Sequence, residues 1–481
     1  MATKAGLSPC RFGFLVDGRW LQEGAAFDVL SPFNRAVVGI AHRASASHLE
    51  TAIRVAQRTF EVTRRIPSHE RQRVLHAVAD SIGQRGDEFA RTMALEAGKP
   101  LKAARAEVER AVLTFTVAAE EAARIGGEWI PFDRTPAGSS RSGIVRRFPV
   151  GPIAAITPFN FPLNLVAHKV APAIAAGCTV VQKPSPHTPL CSLMLAELIE
   201  QAGWPAGALN VLPLTNEDAE RMAGDERFKL LTFTGSASVG WQLKAASGKK
   251  RVTLELGGNA ACIVHSDAQL DHAAERIVAG GFSYAGQSCI SAQRIFVQRS
   301  IAEKFTEKAL ERVASLKVGD PLDPATDVGP MINEEAAERV SQWVDEAAAG
   351  GAKILAGGKG SETFYEPTVL THTSSEMKVI REEVFGPVIV IEPYDDFAEA
   401  IRRVNDSRYG LQAGVFTDDT RLMFKAFEEL EVGGVISNDV SSFRIDHMPY
   451  GGVKDSGFGR EGLRYAIVDM TEPRLLVLHT P

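Results

Sequence analysis

The sequence predicts an α/β protein built on parallel sheets, and two observations carry that expectation. From Gly151 onward, short apolar runs alternate with helical segments, which is the pattern of a parallel sheet covered on both faces. A second alternation begins near Asn259 and runs into the C-terminal third. A chain of 481 residues has room for roughly two to four domains. Its 45% apolar and 23% charged residues suit a globular protein with a sizeable core.

The elements follow in order. The first part reads as helical: "ASHLETAIRVAQRTFEVTRR", "SHERQRVLHAVADSIGQRGDEFARTMALEAG" and "KAARAEVERAVLTFTVAAEEAARIGG" place apolar residues three and four apart, with charges between. The last of these stops at a glycine pair. "GPIAAITPFN" then reads as a buried strand ending in a Pro/Asn turn, and "PLNLVAHKVAPAIAAG" as a helix that Pro172 is expected to kink or interrupt. The strands "CTVVQKP", "ALNVLPL", "FKLLTFTGS" and "KRVTLELGG" alternate with the helices "TPLCSLMLAELIEQAG", "NEDAERMAGD" and "ASVGWQLKAASG". Ligands of such sheets bind at the carboxyl ends of the strands. In the second alternation "AACIVHS", "QRIFVQ", "YEPTVLTH" and "PVIVIEPY" are the apolar runs, "MPYGGVKDSGFGREG" reads as an ordered glycine-rich loop, and "RLLVLHTP" as a closing strand.

Several function classes are disfavoured. A formal net charge of −6 argues against a general nucleic-acid binder. The five cysteines form no CxxC pair, so neither a metal knuckle nor a disulfide framework is expected, and a reduced, cytoplasmic setting fits. No run of 18 apolar residues suggests a membrane span, and the first twenty residues hold no continuous apolar stretch.

Five stretches bear chemistry. In "FSYAGQSCISAQR", Cys289 sits among small and polar residues, the room a reactive thiol needs. In "TFTGSASVG", Gly235 and Ser236 end a strand and Gly240 lies in the next helix, a place where backbone N–H groups can hold a phosphate. Lys183 closes the apolar strand of "VVQKPSP". In "TLELGGN", Glu255 loses hydration in an apolar strand, which raises its pKa toward that of a general base. "EEVFGPV" sets a carboxylate pair before an aromatic and a Gly-Pro turn. Taken singly, each also reads as ordinary structure: a buried thiol, a strand-to-helix turn, a solvated lysine, an ion-paired glutamate, a charged strand start.

Their order is more specific. Asn160 in "TPFNFP", Lys183, "FTGS", "ELGG", "GQSC", "EEVFGP" and "PYGGVKDSGFGREG" come in sequence, and Cys289 follows Glu255 by 289 − 255 = 34 residues. Together they resemble the NAD(P)-dependent, non-phosphorylating aldehyde dehydrogenase superfamily over nearly the whole chain. The resemblance implies a three-part α/β fold. Residues 1–124 and 146–257 would form a Rossmann-like cofactor domain, and 258–457 a catalytic domain. Residues 125–145 and 466–481 would form a small β bridging element that pairs subunits into a homodimer or homotetramer.

It also implies roles. Cys289 would attack the aldehyde, Asn160 and the Cys289 N–H would hold the oxyanion, Glu255 would activate water, and Glu461 would be a second proton acceptor. NAD or NADP would meet Thr157, Pro158, Phe159, Lys183, Ser185, Gly235, Ser236, Gly240, Leu256, Glu383 and Phe385. Pro186 stands where NAD-selective members often carry a glutamate, which leaves NADP open. The lactaldehyde, glyceraldehyde-phosphate and phosphonoacetaldehyde branch is the nearest in pattern. Its arginines around the substrate point here to Arg105 and Arg444. Ser288 and Phe161, where phosphate or phosphonate users often carry arginine or histidine, favour a less charged substrate, or a carboxylate over a phosphate. Two alternatives share the scaffold. A coenzyme-A acylating semialdehyde dehydrogenase is disfavoured by Glu255, and an idle binding protein by the intact Cys289, Glu255 and Asn160.

Overall fold

The structure, a computed structural model, describes residues 10–480. Residues 1–9, part of the expected cofactor unit, lie outside them. The first alternation forms an eight-stranded sheet whose five central strands are parallel. In spatial order these are Arg251–Glu255, Leu230–Thr234, Ile153–Ile156, Val180–Lys183 and Leu209–Val211. Antiparallel strands flank them: Gly457–Phe458 on one side, Phe14–Val16 and Arg19–Leu21 on the other. The short Phe14–Val16 strand is wholly buried, so sequence periodicity over three residues gave no sign of it.

The helix Asn164–Ala176 runs through Pro172 rather than ending there. Every residue of it is buried, so packing on both sides holds a helix that local propensity would have broken. The helices Ser68–Gln84 and Leu101–Arg124 pack beside it and complete one large core that includes Phe89, Phe115 and Phe228.

The second alternation forms a seven-stranded sheet in the order Lys353–Ala356, Thr368–Thr371, Val388–Tyr394, Arg294–Gln298, Ala261–Val264, Gln412–Phe416 and Gly434–Ser437. All pairs are parallel except the first. A separate three-stranded antiparallel sheet joins Gly127–Pro131, Arg141–Pro149 and Thr471–His479. Its last strand leaves Leu475, Leu476, Val477 and Leu478 exposed. Among the described residues no helix is long and apolar enough to cross a membrane.

Candidate active site

The strand Ile153–Ile156 lies between Val180–Lys183, which follows it, and Leu230–Thr234, which comes fourth in the parallel set. The crossovers therefore leave in opposite directions, and a crevice opens at the carboxyl ends, beyond Ile156 and Thr234. A cavity of about 510 Å³ occupies it. Pro158, Phe159, Asn160, Phe161, Gly235, Ser236, Glu255 and Leu256 line it from the first sheet. Ser288, Cys289, Glu383, Phe385 and Arg444 line it from the second half of the chain. Thr157, Lys183, Ser185, Gly240, Glu461 and Arg105 stand outside its wall.

The loop before Cys289 is built to a fixed shape. The helix Leu270–Phe282 ends in a tight turn in which Tyr284 and Ala285 take left-handed backbone angles, φ 51° and 52°. Gly286 follows at φ 68°, and a Cβ there would lie 2.0 Å from the Gly386 carbonyl oxygen, so only glycine fits. The buried Gln287 side chain then staples the loop, donating to the carbonyls of Tyr284 (3.3 Å) and Pro330 (3.4 Å) and accepting from the Ile332 N–H (2.8 Å). The small polar neighbours of Cys289 are thus loop architecture as well as open space.

Around the sulfur, the Tyr450 hydroxyl lies 3.0 Å from Cys289 Sγ. Burial pushes the thiol up to about 11 against the pull of that hydrogen bond, so it holds its proton at neutral pH. Asn160 Nδ2 donates one hydrogen to the Gln287 carbonyl at 3.1 Å, which fixes the amide beside the Cys289 loop and leaves its second hydrogen unspent. The Cys289 N–H has no acceptor among the described residues. Asn160 and Cys289 both line the cavity, so an amide hydrogen and a backbone N–H without acceptors stand at the same wall as the sulfur.

Glu255 ends its strand with both carboxylate oxygens buried and unpartnered. Burial, and then the nearby charge of Glu461, raise its pKa well above the carboxylate range. Glu461 is buried too, but it receives Lys169 Nζ at 3.0 Å and Arg444 Nη2 at 3.1 Å. Burial pushes its pKa up, and the charges of Lys169, His168 and Arg444 more than offset that and hold it below the ordinary range. It is a committed ion-pair partner behind the wall, rather than the free acceptor that its place in the glycine-rich loop suggested.

The two predicted arginines separate. Arg444 lines the cavity, sits 3.6 Å from the Tyr450 ring centroid, and leaves its Nε buried without an acceptor. Arg105 points away and pairs with Asp87 on the surface at 3.2 Å. Arg110, on the same helix, reaches the cavity instead, over the Phe161 ring at 5.7 Å. Five residues of helix are about 140° of rotation, so Arg105 and Arg110 cannot share a face. The signal was the run Ala103, Ala106, Glu107 and Arg110, spaced to form one stripe. Asp446 anchors Arg110 with bonds of 3.1 and 2.7 Å, and also accepts from Asn164 and His168. Lys99 and Glu107 form a fully buried ion pair, and Glu107 accepts from the N–H groups of Leu163 and Asn164 at 3.0 Å each. No local pattern in the sequence announced Tyr450 or this ion pair.

The residues present fit a nicotinamide dinucleotide. Lys183 is buried at its strand end with no acidic partner among the described residues, and burial, then repulsion from Arg43, lower its pKa to about 8. Such a group awaits hydroxyl or phosphate oxygens. The helix Ala237–Ala246 opens with no side-chain cap, leaving N–H groups at Ser236 and beyond for an anion. Gly240 lets that helix sit against the sheet, since a Cβ would lie 2.3 Å from Leu256. Thr157 is held in the strand-end turn by Gln182 at 2.9 Å, Ser185 by the His187 N–H at 3.2 Å. Glu383 accepts from the Gly258 N–H at 3.1 Å and is raised by burial to about 7. Phe385, at φ 46°, packs edge-on to Phe159 at 5.9 Å.

Residues 20–476 match the aldehyde dehydrogenase family, and the chain belongs to it. It is 46% identical over 470 residues to a 3-sulfolactaldehyde dehydrogenase of Priestia aryabhattai, covering 98% of each chain. Its fold superposes on aldehyde dehydrogenase 21 of Physcomitrella patens in complex with the reaction product succinate. There the TM-score is 0.97 and the identity 44%, over 98% of this chain and 99% of that one. It also superposes on a glyceraldehyde-3-phosphate dehydrogenase of Methanocaldococcus jannaschii complexed with NADP, with TM-score 0.92 and 40% identity over 96% of this chain and 100% of that one. The protein is an oxidoreductase that acts on aldehydes with a nicotinamide cofactor.

Proposed function

We propose that the substrate is a short aldehyde whose far end carries an anionic group, a carboxylate by preference. The observation that carries this is the pair Arg110 and Arg444 on the wall of the Cys289 cavity, with Arg444 Nε left without an acceptor. A planar guanidinium suits a carboxylate. The named substrate of the Priestia relative and the succinate bound to the Physcomitrella enzyme are anionic and support the reading.

In this reading Cys289 Sγ forms the bond to the aldehyde carbon, and its proton leaves through the Tyr450 hydroxyl or solvent. The Asn160 amide and the Cys289 N–H stabilise the oxyanion. The nicotinamide ring, when bound, supplies the two-electron acceptor that makes this an oxidation. Glu255, the one buried carboxylate of the cavity without a partner, takes the proton of the water that releases the acid from the sulfur. Lys183 and Ser185 hold the adenosine half, Ser236 the pyrophosphate, and Glu383 and Phe385 the nicotinamide riboside. Pro186 lacks the charge that would repel a 2′-phosphate, so both NAD and NADP are expected to serve.

The division into a cofactor unit, a catalytic unit and a bridging sheet belongs to the same reading. So does a homodimer or homotetramer, supported by the exposed Leu475–Leu478 edge and checked by sedimentation. The five free cysteines, three of them buried, support a reducing, cytoplasmic setting.

Steady-state kinetics with succinic semialdehyde and butanal test the substrate. Arg110→Gln is expected to raise KM for the acidic aldehyde by about tenfold to a hundredfold relative to the neutral one. Arg444→Lys keeps a charge for Glu461 but loses the fork, and should retain only part of the wild-type preference. Equal efficiency on both aldehydes in the wild type, or equal losses in both variants, would overturn the anionic substrate.

A further inference from the structure

A second cavity, of about 580 Å³, shares no residue with the first. It lies where the end of the helix Ala46–Thr63, the start of Ser68–Gln84 and the end of Leu101–Arg124 meet the strand Arg141–Pro149. Arg64, Arg65, Arg71, Arg146 and Arg147 stand on its wall, and no Asp or Glu does. In a chain of net charge −6 that concentration of one sign calls for an explanation.

Internal pairing does not supply it. Glu61 serves Arg64 at 3.3 Å and Arg65 at 3.7 Å. Arg147 is held by Thr471 Oγ1 at 2.7 Å and the Val468 carbonyl at 2.8 Å, which are neutral groups. Arg146 stacks on Phe148, 5.6 Å from the ring centroid. Arg71 gives one Nη to the Ala175 carbonyl, while its Nε is buried with no acceptor. Among the described residues Arg71, Arg146 and Arg147 thus have no carboxylate partner. The 17-residue helix Ser68–Gln84 also begins here without a side-chain cap, adding N–H groups of the same polarity.

Guanidiniums held within a Debye length of one another repel. A ligand that neutralises several of them at once recovers that cost, and phosphate oxygens match their planar fork. The cavity falls in the size range of small-molecule pockets, about 300–1,000 Å³. A single halide or carboxylate would leave most of both charge and volume unused. We propose that this arginine-lined cavity binds an organic phosphate bearing more than one phosphate charge, of the nucleotide or sugar-phosphate class.

Isothermal titration of the free enzyme with pyrophosphate, ATP and fructose 1,6-bisphosphate tests this, with the double variant below, whose cofactor cleft is untouched, separating binding here from binding in the cleft. At least one is expected to bind with Kd below about 1 mM, more weakly as salt rises. ATP over fructose bisphosphate marks a nucleotide site, and the reverse a sugar-phosphate site. The double variant Arg65→Glu with Arg146→Glu touches no residue of the Cys289 cavity. It should keep wild-type turnover and weaken binding by at least about tenfold. If it folds poorly, Arg65→Gln with Arg146→Gln gives the same comparison with less repulsion. No heat up to about 10 mM of any probe, or unchanged affinity in both variants, overturns the proposal. So does dissociation of an oligomer by the variant without any anion binding, because the arginines would then be serving the carboxylates of a second copy.

Discussion

Glu255 and Glu461 are both buried carboxylates, 3% and 2% exposed, and they sit near enough to feel each other's charge. One ends a strand and faces the cavity; the other lies in the glycine-rich loop behind it. Glu461 has two cations in contact, and its pKa is held down. Glu255 has no partner, and its pKa is raised. Burial alone is the same for both. Lys169 and Arg444 pull on both, but they touch only Glu461, and that contact decides which carboxylate is a structural anion and which stays free to take a proton.

The sharpest way to break the contrast is to neutralise each in turn. Glu255→Gln is expected to give one burst of NAD(P)H and then turnover lower by about 10²- to 10⁴-fold, with stability unchanged or higher, since a partnerless buried carboxylate is removed. Glu461→Gln strands Lys169 and Arg444 and should cost about 3–5 kcal/mol of stability, read from denaturant unfolding, with steady turnover by the folded fraction. If Glu461→Gln shows the burst and Glu255→Gln does not, the assignments are reversed.

Acid should separate the two in the same sense. The folded pKa of Glu461 is depressed, so its contribution is present above the unfolded carboxylate value and lost as pH falls below it. Glu255, raised, works the other way: ionising it costs stability as pH rises. The wild type should therefore lose stability as pH falls from about 5 to about 2, and Glu461→Gln should lose less over that window. Equal acid slopes would remove Glu461 from the account.

A smaller effect is expected at the Cys289 sulfur, which shares the cavity with Glu255. The thiol, raised to about 11, should be alkylated by iodoacetamide at a rate that climbs roughly tenfold per pH unit from neutral pH. Tyr450→Phe deletes the 3.0 Å contact and should shift that profile upward, with a modest loss in kcat at neutral pH. An unshifted profile would make Tyr450 a packing residue only.

Much of this was legible in the chain. The alternation from Gly151 onward found the parallel strands of the first sheet and Ala261–Val264, Arg294–Gln298, Thr368–Thr371 and Val388–Tyr394 of the second, each run overlapping its strand, because buried strands bounded by turn residues have few other readings; Gln412–Phe416 and Gly434–Ser437 went unread. The N-terminal strands between Arg11 and His42 went unread, since they span two to six residues each and several are half-exposed. Arg105 pairs with Asp87 on the surface while Arg110 of the same helix lines the cavity, a difference that helical rotation hides in the sequence and only the packed face shows.

The order of motifs around Asn160, Glu255 and Cys289 was determined by the sequence alone, since a loop such as "GQSC" carries its own constraint: Gly286 takes φ 68°, a backbone angle that favours glycine. The state of each ionisable group was decided only by the tertiary structure. Lys169 and Glu461 are 292 positions apart, and Arg110 and Asp446 are 336 apart, yet each pair is in contact. A group's hydration and its counter-charges depend on which distant side chains the fold brings beside it, so no stretch read by itself could show that Glu255 would be left without a partner and Glu461 would not.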